Sequence, residues 1–319
     1  MTPRWLDFAA VEVEEVSCPL CGCGEGKLLS MQLDRFGVVR CRRCGLVRLS
    51  PRPTAAAARK LYAEDYYLYG GYDDYVRTFE TYRALFEKYF ATRLGLVRRH
   101  VRGPGRLLEC GCAHGFQLDW LRRQGWEVAG NEVSPHAAAY ARDRLGLSVL
   151  EGPLETAPLP AAAFDVIYMV DILEHLSDPR PALANVRRAL SPGGVLLVQC
   201  PYELYHWEKI AQALWQGKKP GTIAPDAVPY HLLFFVPRTL RMMLETSGFI
   251  IRARYSGNYG GIRRYITPPR IRAATPWETA ARYIYFRLGV QQLARGAARL
   301  FKQGSGIIYV AAAGANGDA

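Results

Sequence analysis

Short apolar runs alternate with amphipathic stretches through the middle of the chain. Apolar runs of this length, separated by helical patterns, predict buried strands that alternate with helices. Such an order favours a parallel, doubly wound α/β sheet. The predicted strands lie near 106–108, 126–130, 165–169, 194–200, 249–255 and 306–312, with a third strand just before 150.

The pattern divides the chain into four parts. Residues 1–53 are rich in cysteine, and residues 54–102 follow a helical pattern rich in tyrosine, which predicts a linker or a lid over a site. Residues 103–256 together with 304–314 form the predicted α/β core. A basic, helical insertion at 257–303 is predicted to precede the last strand.

Two cysteine knuckles lie in the first part. Cys18-Pro-Leu-Cys21-Gly and Cys41-Arg-Arg-Cys44-Gly are separated by 19 residues, which is typical of a four-cysteine zinc ribbon. Four thiolates close a tetrahedron, so the sequence predicts a structural zinc ion with no open catalytic position. The alternative is that these cysteines are free or paired in disulfides, which is uncommon inside cells.

An acid and a glycine-rich turn follow the first strand of the core. Glu109 closes the strand, Gly111, Ala113 and Gly115 form the turn, and a helix is predicted to begin near Phe116. A dinucleotide site would have a glycine at the position of Phe116, so NAD fits poorly. A second acid, Glu132, ends the neighbouring strand, which is a position that suits a ribose diol.

The spacing from Glu109 to Gly115 resembles motif I of the class I S-adenosylmethionine-dependent methyltransferases. Further stretches that resemble this family follow in order at 164–179, 190–201 and 231–249. The resemblance implies a seven-stranded Rossmann-like sheet of order 3-2-1-4-5-7-6, with the last strand antiparallel. The cysteine knuckles ahead of this core resemble zinc-ribbon methyltransferases of sugar, polysaccharide and natural-product pathways.

The resemblance also implies roles for residues around the donor, S-adenosylmethionine. Glu109 is expected to bind the methionine ammonium, the backbone amides of 111–115 to face its carboxylate, and Glu132 to bind the ribose. Leu154 is expected to contact adenine. The residues expected near the methionine end of the donor and the acceptor are Val170, Asp171 and Glu174. Glu174 and the adjacent His175 have an alternative role, in which they cap and brace the next helix.

A hydroxyl or activated carbon acceptor loses a proton when it is methylated, so a general base is expected. His231 is the leading candidate because the resemblance places its segment over the acceptor pocket. Tyr230 beside it is expected to orient His231 or the acceptor, and His175 is the third candidate catalytic residue. The alternative is that His231 is a hydrogen-bonded structural histidine.

Composition and charge narrow the function classes. The chain has 319 residues, 50% of them hydrophobic, which excludes wholesale disorder. An acidic amino terminus without an apolar core and the lack of an apolar run of ~18 residues predict a cytoplasmic protein. The net charge is +12, and residues 252–302 hold eleven basic residues against one acid. Such a segment suits phosphate on an acceptor, an anionic membrane surface or nucleic acid, or is simply a solvated basic face.

The sequence therefore favours methyl transfer to a small molecule, with a sugar or secondary metabolite that carries phosphate as the expected acceptor. The alternative is an rRNA or tRNA methyltransferase. The basic residues lie far from the ribbon, and DILEH follows the fourth strand where a base-methylating enzyme would have an N/D-P-P-Y motif. A non-catalytic zinc-ribbon binding protein is the third alternative, but it would have no reason to keep both Glu109 and Glu132.

Overall fold

The computed structural model describes residues 11–60, 75–202, 228–257 and 306–314. Its amino-terminal part is built from short strands. Strands β2, β3 and β4 form an antiparallel sheet, and β1 pairs with β5. The bounds are β1 Val13–Glu14, β2 Gly26–Gln32, β3 Phe36–Cys41, β4 Val47–Leu49 and β5 Arg52–Pro53.

Within the described part of 54–102 the chain is helical. The helices are α1 (Ala55–Lys60), α2 (Tyr75–Thr81) and α3 (Arg83–Val97). Helix α3 buries one residue per turn, beginning with Phe86 and Phe90, and this spacing puts the buried side chains on one face. The tyrosines predicted to form a lid between 62 and 72 lie outside the described residues.

Seven strands form the central sheet in the order β12-β13-β10-β9-β6-β7-β8. Strand β13 is antiparallel to both of its neighbours, and the other pairs are parallel. Numbered along the chain within this sheet, the order is 3-2-1-4-5-7-6, which is the order that the resemblance implied. The strands are β6 Arg106–Cys110, β7 Glu127–Glu132, β8 Val149–Glu151, β9 Phe164–Val170, β10 Leu190–Pro201, β12 Phe249–Gly257 and β13 Gly306–Ala313.

Helices α4 to α7 connect these strands. Side-chain caps start two of them: the Ser134 hydroxyl accepts from the amide of Ala137, and the Asp178 carboxylate accepts from the amide of Arg180. The helix bounds are α4 Phe116–Arg123, α5 Pro135–Leu145, α6 Pro179–Ala189 and α7 Pro237–Thr246. Because the strands from β6 to β9 are parallel, their carboxyl ends meet at one edge, where a ligand crevice is expected.

One further strand joins the two parts of the molecule. Strand β11 (Leu233–Phe234) pairs antiparallel with β4, and the amide of Leu49 donates to the carbonyl of Leu232 at 2.9 Å. The HLLFF segment thus completes the sheet of the ribbon, and both parts share one hydrophobic core. The division of the sequence at residue 53 did not predict this shared sheet.

Among the described residues, none of the helices combines the length and apolar character that a membrane crossing requires. The basic segment 252–302 begins on β12, within the described residues. The rest of it, including the predicted helical part, lies outside them.

Candidate functional site

Glu109 is a buried carboxylate at the carboxyl end of β6. Its Oε1 accepts a 2.6 Å hydrogen bond from Gln117 Nε2, and its Oε2 has no hydrogen-bond partner among the described residues. Burial is the largest influence on its pKa, which is raised to about 8; nearby Arg93 lowers the pKa and Glu132 raises it. A buried oxygen that lacks a partner is costly, so this carboxylate suits a cationic group on a ligand.

The turn after β6 uses left-handed backbone at three positions. Gly111, Ala113 and Gly115 have φ angles of 67°, 49° and 80°. A β-carbon at Gly111 would collide with Ile172 Cδ1, and one at Gly115 would lie 2.6 Å from Leu147 Cδ1. Glycine thus suits the backbone conformation at both positions, and a β-carbon at either one would force a neighbouring side chain to move.

The amides of this turn were expected to face the carboxylate of a donor. Four of them donate within the protein instead: those of Gly111 and Cys112 to the carbonyl of Asn131, that of Ala113 to Glu132, and that of Gly115 to Cys112. For these four amides contact with the donor carboxylate stays a prediction, in which each amide would be shared between the protein and the donor. The neighbouring strand β7 ends at the same edge and supplies acceptors that the sequence pattern could not locate.

Glu132 is held by two backbone amides at the end of β7. Ala113 donates to its Oε2 and Ser134 to its Oε1, each at 2.8 Å. An ionised carboxylate has about four lone-pair sites, so one amide on each oxygen does not by itself prevent it from accepting from hydroxyls. Beside it, Val133 and Leu150 are large apolar side chains that remain 38% and 37% exposed. The sequence analysis did not single out Val133, and in the stretch 150–155, which the resemblance places near adenine, it chose Leu154 and not Leu150.

Leu154 does not lie at this exposed surface. Its side chain is buried in the core that the sheet and the ribbon share, and its carbonyl accepts from Asn185 Nδ2 at 2.9 Å. Leu154 is thus held by packing and by this hydrogen bond. Its predicted contact with adenine stays a prediction.

The loop after β9 carries the next group of predicted residues. Val170 ends the strand, and Asp171 adopts a left-handed φ of 58° while its amide donates to the carbonyl of Gln199. Glu174 follows in a 3-10 turn, Leu173–His175, and is 1% exposed. A non-glycine residue with this backbone conformation next to a buried acid is common at functional sites.

The three candidate catalytic residues lie together with Glu174. One ligating atom from each of Glu174, His175 and His231 lies within 4.8 Å of the others, and the two imidazole rings are 4.7 Å apart at their centroids. His175 Nδ1 lies 3.0 Å from the carbonyl of Tyr230, which can only accept, so Nδ1 carries the hydrogen. The amide of Leu232 donates to the carbonyl of Glu174 at 2.7 Å and fixes the two loops against each other.

This cluster can act in two chemical ways. An imidazole beside a buried carboxylate can take a proton from an acceptor and be stabilised as a cation. One carboxylate and two imidazoles are also a set that divalent cations accept. Tyr230 is buried next to His231, and burial raises the pKa of its phenol, which keeps it a hydrogen-bond donor.

The four knuckle cysteines also converge. Their sulfur atoms lie within 4.8 Å of one another, with Cys18 Sγ 3.4 Å from Cys44 Sγ and Cys21 Sγ 3.5 Å from Cys41 Sγ. A zinc ion with bonds of ~2.3 Å would hold tetrahedral sulfurs about 3.8 Å apart, so the cluster fits zinc. Burial raises the pKa of Cys18 and Cys44. At Cys41 burial is the largest single influence and raises the pKa, but hydrogen bonds from the backbone at Cys44 and Arg43 and from the Cys21 and Cys44 side chains together lower it to about 6.

A polar network beside Glu109 was missed by the sequence analysis. Arg93 on α3 donates from Nη1 to Gln117 Oε1 at 2.7 Å and from Nε to Gln199 Oε1 at 3.2 Å. Gln117 and Gln199 are buried. Two features of the sequence could have indicated this network. Gln199 lies among the apolar residues of β10, and Gln117 lies on the buried face of α4.

Comparison with known proteins shows which sequences this chain is similar to. Residues 108–198 match the methyltransferase domain family. A probable S-adenosylmethionine-dependent methyltransferase of Mycolicibacterium smegmatis is 28% identical over 207 residues, which cover 60% of this chain and 76% of that protein. The malonyl-[acyl-carrier protein] O-methyltransferase of Serratia marcescens is 35% identical over 106 residues, 33% of this chain and 40% of that protein.

A structural relative is the phosphoethanolamine N-methyltransferase 2 of Haemonchus contortus, solved in complex with S-adenosyl-L-methionine. It is 14% identical, with a TM-score of 0.48, over 84% of this chain and 63% of that chain. At this level of similarity the family assignment rests on the sequence matches. Residues 108–198 thus match a methyltransferase domain, and this match together with the named relatives supports that the chain is an enzyme.

Proposed function

We propose that the enzyme transfers a methyl group from S-adenosylmethionine to a small-molecule acceptor, a sugar or secondary metabolite that carries phosphate. The observation that carries the proposal is the pair of buried acids, Glu109 and Glu132, at the carboxyl ends of adjacent parallel strands within the matched domain. S-adenosylmethionine supplies the methyl group on a sulfonium, and the enzyme has mainly to align it with a nucleophile.

The donor is bound by residues at the edge of the sheet. Glu109 Oε2, which lacks a partner among the described residues, accepts from the donor ammonium, and the amide-fixed carboxylate of Glu132 accepts from the ribose. Val133 and Leu150 offer an exposed apolar surface beside Glu132 for one face of the adenine. Val170 and Asp171, at the end of the strand that pairs with β6, are assigned to the methionine end of the donor, together with the turn formed by Gly111, Ala113 and Gly115.

The acceptor is bound near Glu174, His175 and His231. His231 is the general base and takes the acceptor's proton on a ring nitrogen, which contributes ~10² to 10⁴ in rate. The carboxylate of Glu174 stabilises the resulting imidazolium, and His175, held by the carbonyl of Tyr230, fixes the geometry of the pair. The sharing of strand β11 with the ribbon sheet supports a second role for the ribbon, which is to hold the His231 segment in place.

The ribbon binds structural zinc through Cys18, Cys21, Cys41 and Cys44. The basic segment 252–302 binds the phosphate of the acceptor. Of this segment, Arg252 and Arg254 on β12 lie within the described residues. Sequence relatives named O-methyltransferases support a small-molecule acceptor, although the Serratia relative is covered over only 40% of its length.

The test is methyl transfer from S-adenosylmethionine, followed as S-adenosylhomocysteine formed. The acceptor panel contains sugar phosphates, nucleotide-linked sugars, hydroxylated metabolites and total RNA. Turnover with a small phosphate-bearing acceptor that falls in His231→Gln supports the proposal. Salt-sensitive turnover with RNA alone supports the nucleic-acid enzyme instead. Donor binding without turnover on any acceptor contradicts the general-base assignment and favours a binding protein.

A further inference from the structure

Arg93 links three elements around the donor site. It lies on α3 and donates to Gln117 on α4 at 2.7 Å and to Gln199 on β10 at 3.2 Å. The matched methyltransferase domain covers residues 108–198, so both Arg93 and Gln199 lie outside it. Buried polar groups cost free energy unless they are fully paired, so a network of this kind at a site calls for a purpose.

The network fixes which way the amide of Gln117 faces. A guanidinium group only donates hydrogen bonds, so Gln117 must present its oxygen to Arg93. Its amide nitrogen then faces Glu109 and donates to Oε1 at 2.6 Å. This holds one carboxylate oxygen and leaves the other, Oε2, without a partner among the described residues. Without Arg93 the amide could turn over, and its oxygen would then face the carboxylate.

We propose that Arg93 is a positioning residue of the donor site, which acts through Gln117 to orient Glu109 towards the donor ammonium. The inference rests on the proposed function and deepens it, since it makes helix α3, ahead of the methyltransferase domain, part of the donor site. Arg93 itself does not contact the donor in this arrangement. Its second bond, to Gln199 on β10, anchors the guanidinium to the central sheet.

The positive charge of Arg93 favours donor binding, as does the orientation that Arg93 imposes on Gln117. A carboxylate must be ionised to pair with an ammonium, and the positive charge of Arg93 opposes burial, the largest influence on the pKa of Glu109. The other described groups that face Glu109 are Glu132 on β7, Tyr168 on β9 and the thiols of Cys110 and Cys112. None of these is a cation, so removal of Arg93 would favour a protonated Glu109.

The test compares full-length, zinc-loaded Arg93→Gln and Arg93→Lys with wild type and with Lys88→Gln, an exposed position on the same helix. Affinity for S-adenosylmethionine is measured by calorimetry from pH 6 to pH 8.5. We expect Arg93→Gln to weaken binding at least tenfold at pH 7 and to move the pH of half-maximal affinity upwards. Arg93→Lys keeps the charge without the fork and should lie between the two, and Lys88→Gln should match wild type. Thermal unfolding identifies any variant that is not folded.

A double-mutant cycle separates positioning from a structural role. If Arg93 acts through Glu109, then Arg93→Gln added to Glu109→Gln should change donor affinity less than twofold. An equal tenfold loss in that background, or an unchanged pH profile in Arg93→Gln, overturns the inference while the donor site stands. A wild type that binds no S-adenosylmethionine overturns the proposed function itself. Carboxyl NMR of donor-free protein then still measures whether Arg93→Gln raises the pKa of Glu109, and no change overturns the coupling.

Discussion

Replacing Glu109 with glutamine should stabilise the donor-free protein at neutral and mildly alkaline pH. Burial, opposed by Arg93, raises the pKa of Glu109 from 4.5 to about 8. The raised pKa means that the folded protein keeps this proton between those values while the unfolded chain releases it. The stability that protonation provides is thus complete below pH 4.5 and is lost as the pH rises through 8. A glutamine of nearly the same shape carries no such dependence and can still accept from Gln117.

The size of the effect follows from the shift in pKa. Each pH unit between 4.5 and 8 is worth ~1.4 kcal/mol, so the whole interval corresponds to a destabilisation on the order of 5 kcal/mol in the wild type. Glu109→Gln should therefore be more stable than wild type by several kcal/mol at pH 8 and about equal to it near pH 5. The same variant should lose most of its affinity for S-adenosylmethionine, because it removes the charge that pairs with the ammonium.

Urea unfolding of zinc-loaded, donor-free protein at half-unit steps from pH 5 to pH 8 measures this difference. Glu127→Gln is the matched control, since Glu127 begins the neighbouring strand β7 at its opposite end and is exposed. The control should follow the wild-type curve. Parallel pH curves for wild type and Glu109→Gln would refute the reasoning, because they would mean that Glu109 is ionised in the folded protein without a donor.

The remaining predictions concern donor binding, catalysis and zinc. Donor affinity of the wild type should rise about 50-fold between pH 6 and pH 8 as Glu109, with its pKa of about 8, ionises, and a flat calorimetric profile would exclude this role. His231→Gln should lower kcat by ~10² to 10⁴ with donor affinity unchanged, whereas His100→Gln at the end of α3 should have no effect; equal rates in both would make His231 structural. Cys41→Ser should lose zinc in metal analysis and lower kcat through the β4–β11 pairing, with donor affinity within a few fold; a lost donor site would mean that the ribbon builds it. Added Mn²⁺ or a chelator that leaves the ribbon loaded should not change kcat, because His231 acts as a base; strict dependence on the cation would assign the Glu174 cluster to metal binding instead.

The sequence predicted features that depend on local pattern. Apolar runs located the central strands, the spacing of the two knuckles predicted that four thiols converge, and the family resemblance implied the sheet order that β13 completes. Glu109 and Glu132 were predicted at adjacent strand ends because parallel strands finish at one edge. Each of these inferences uses only neighbouring residues or a strong resemblance.

Features that depend on contacts between distant segments were not predictable in this way. The amides of residues 111–113 donate to acceptors on β7, the carbonyl of Leu154 accepts from Asn185, and β11 completes the sheet of the ribbon. Arg93 reaches the site from a helix whose sequence indicates only helical periodicity. In each case the decisive partner lies far along the chain, and nothing in the local pattern identifies it.

The central claim is that the edge formed by β6 and β7 binds S-adenosylmethionine through Glu109 and Glu132. Calorimetric titration of S-adenosylmethionine into zinc-loaded wild type, Glu132→Ala and Glu127→Ala tests it most directly, because the two variants remove the same side chain from opposite ends of one strand. The account predicts binding by wild type and Glu127→Ala and a loss of more than ~1 kcal/mol in Glu132→Ala, since charge-assisted hydrogen bonds to the ribose are removed. Equal affinity in all three proteins, or no binding by a folded wild type, would contradict it.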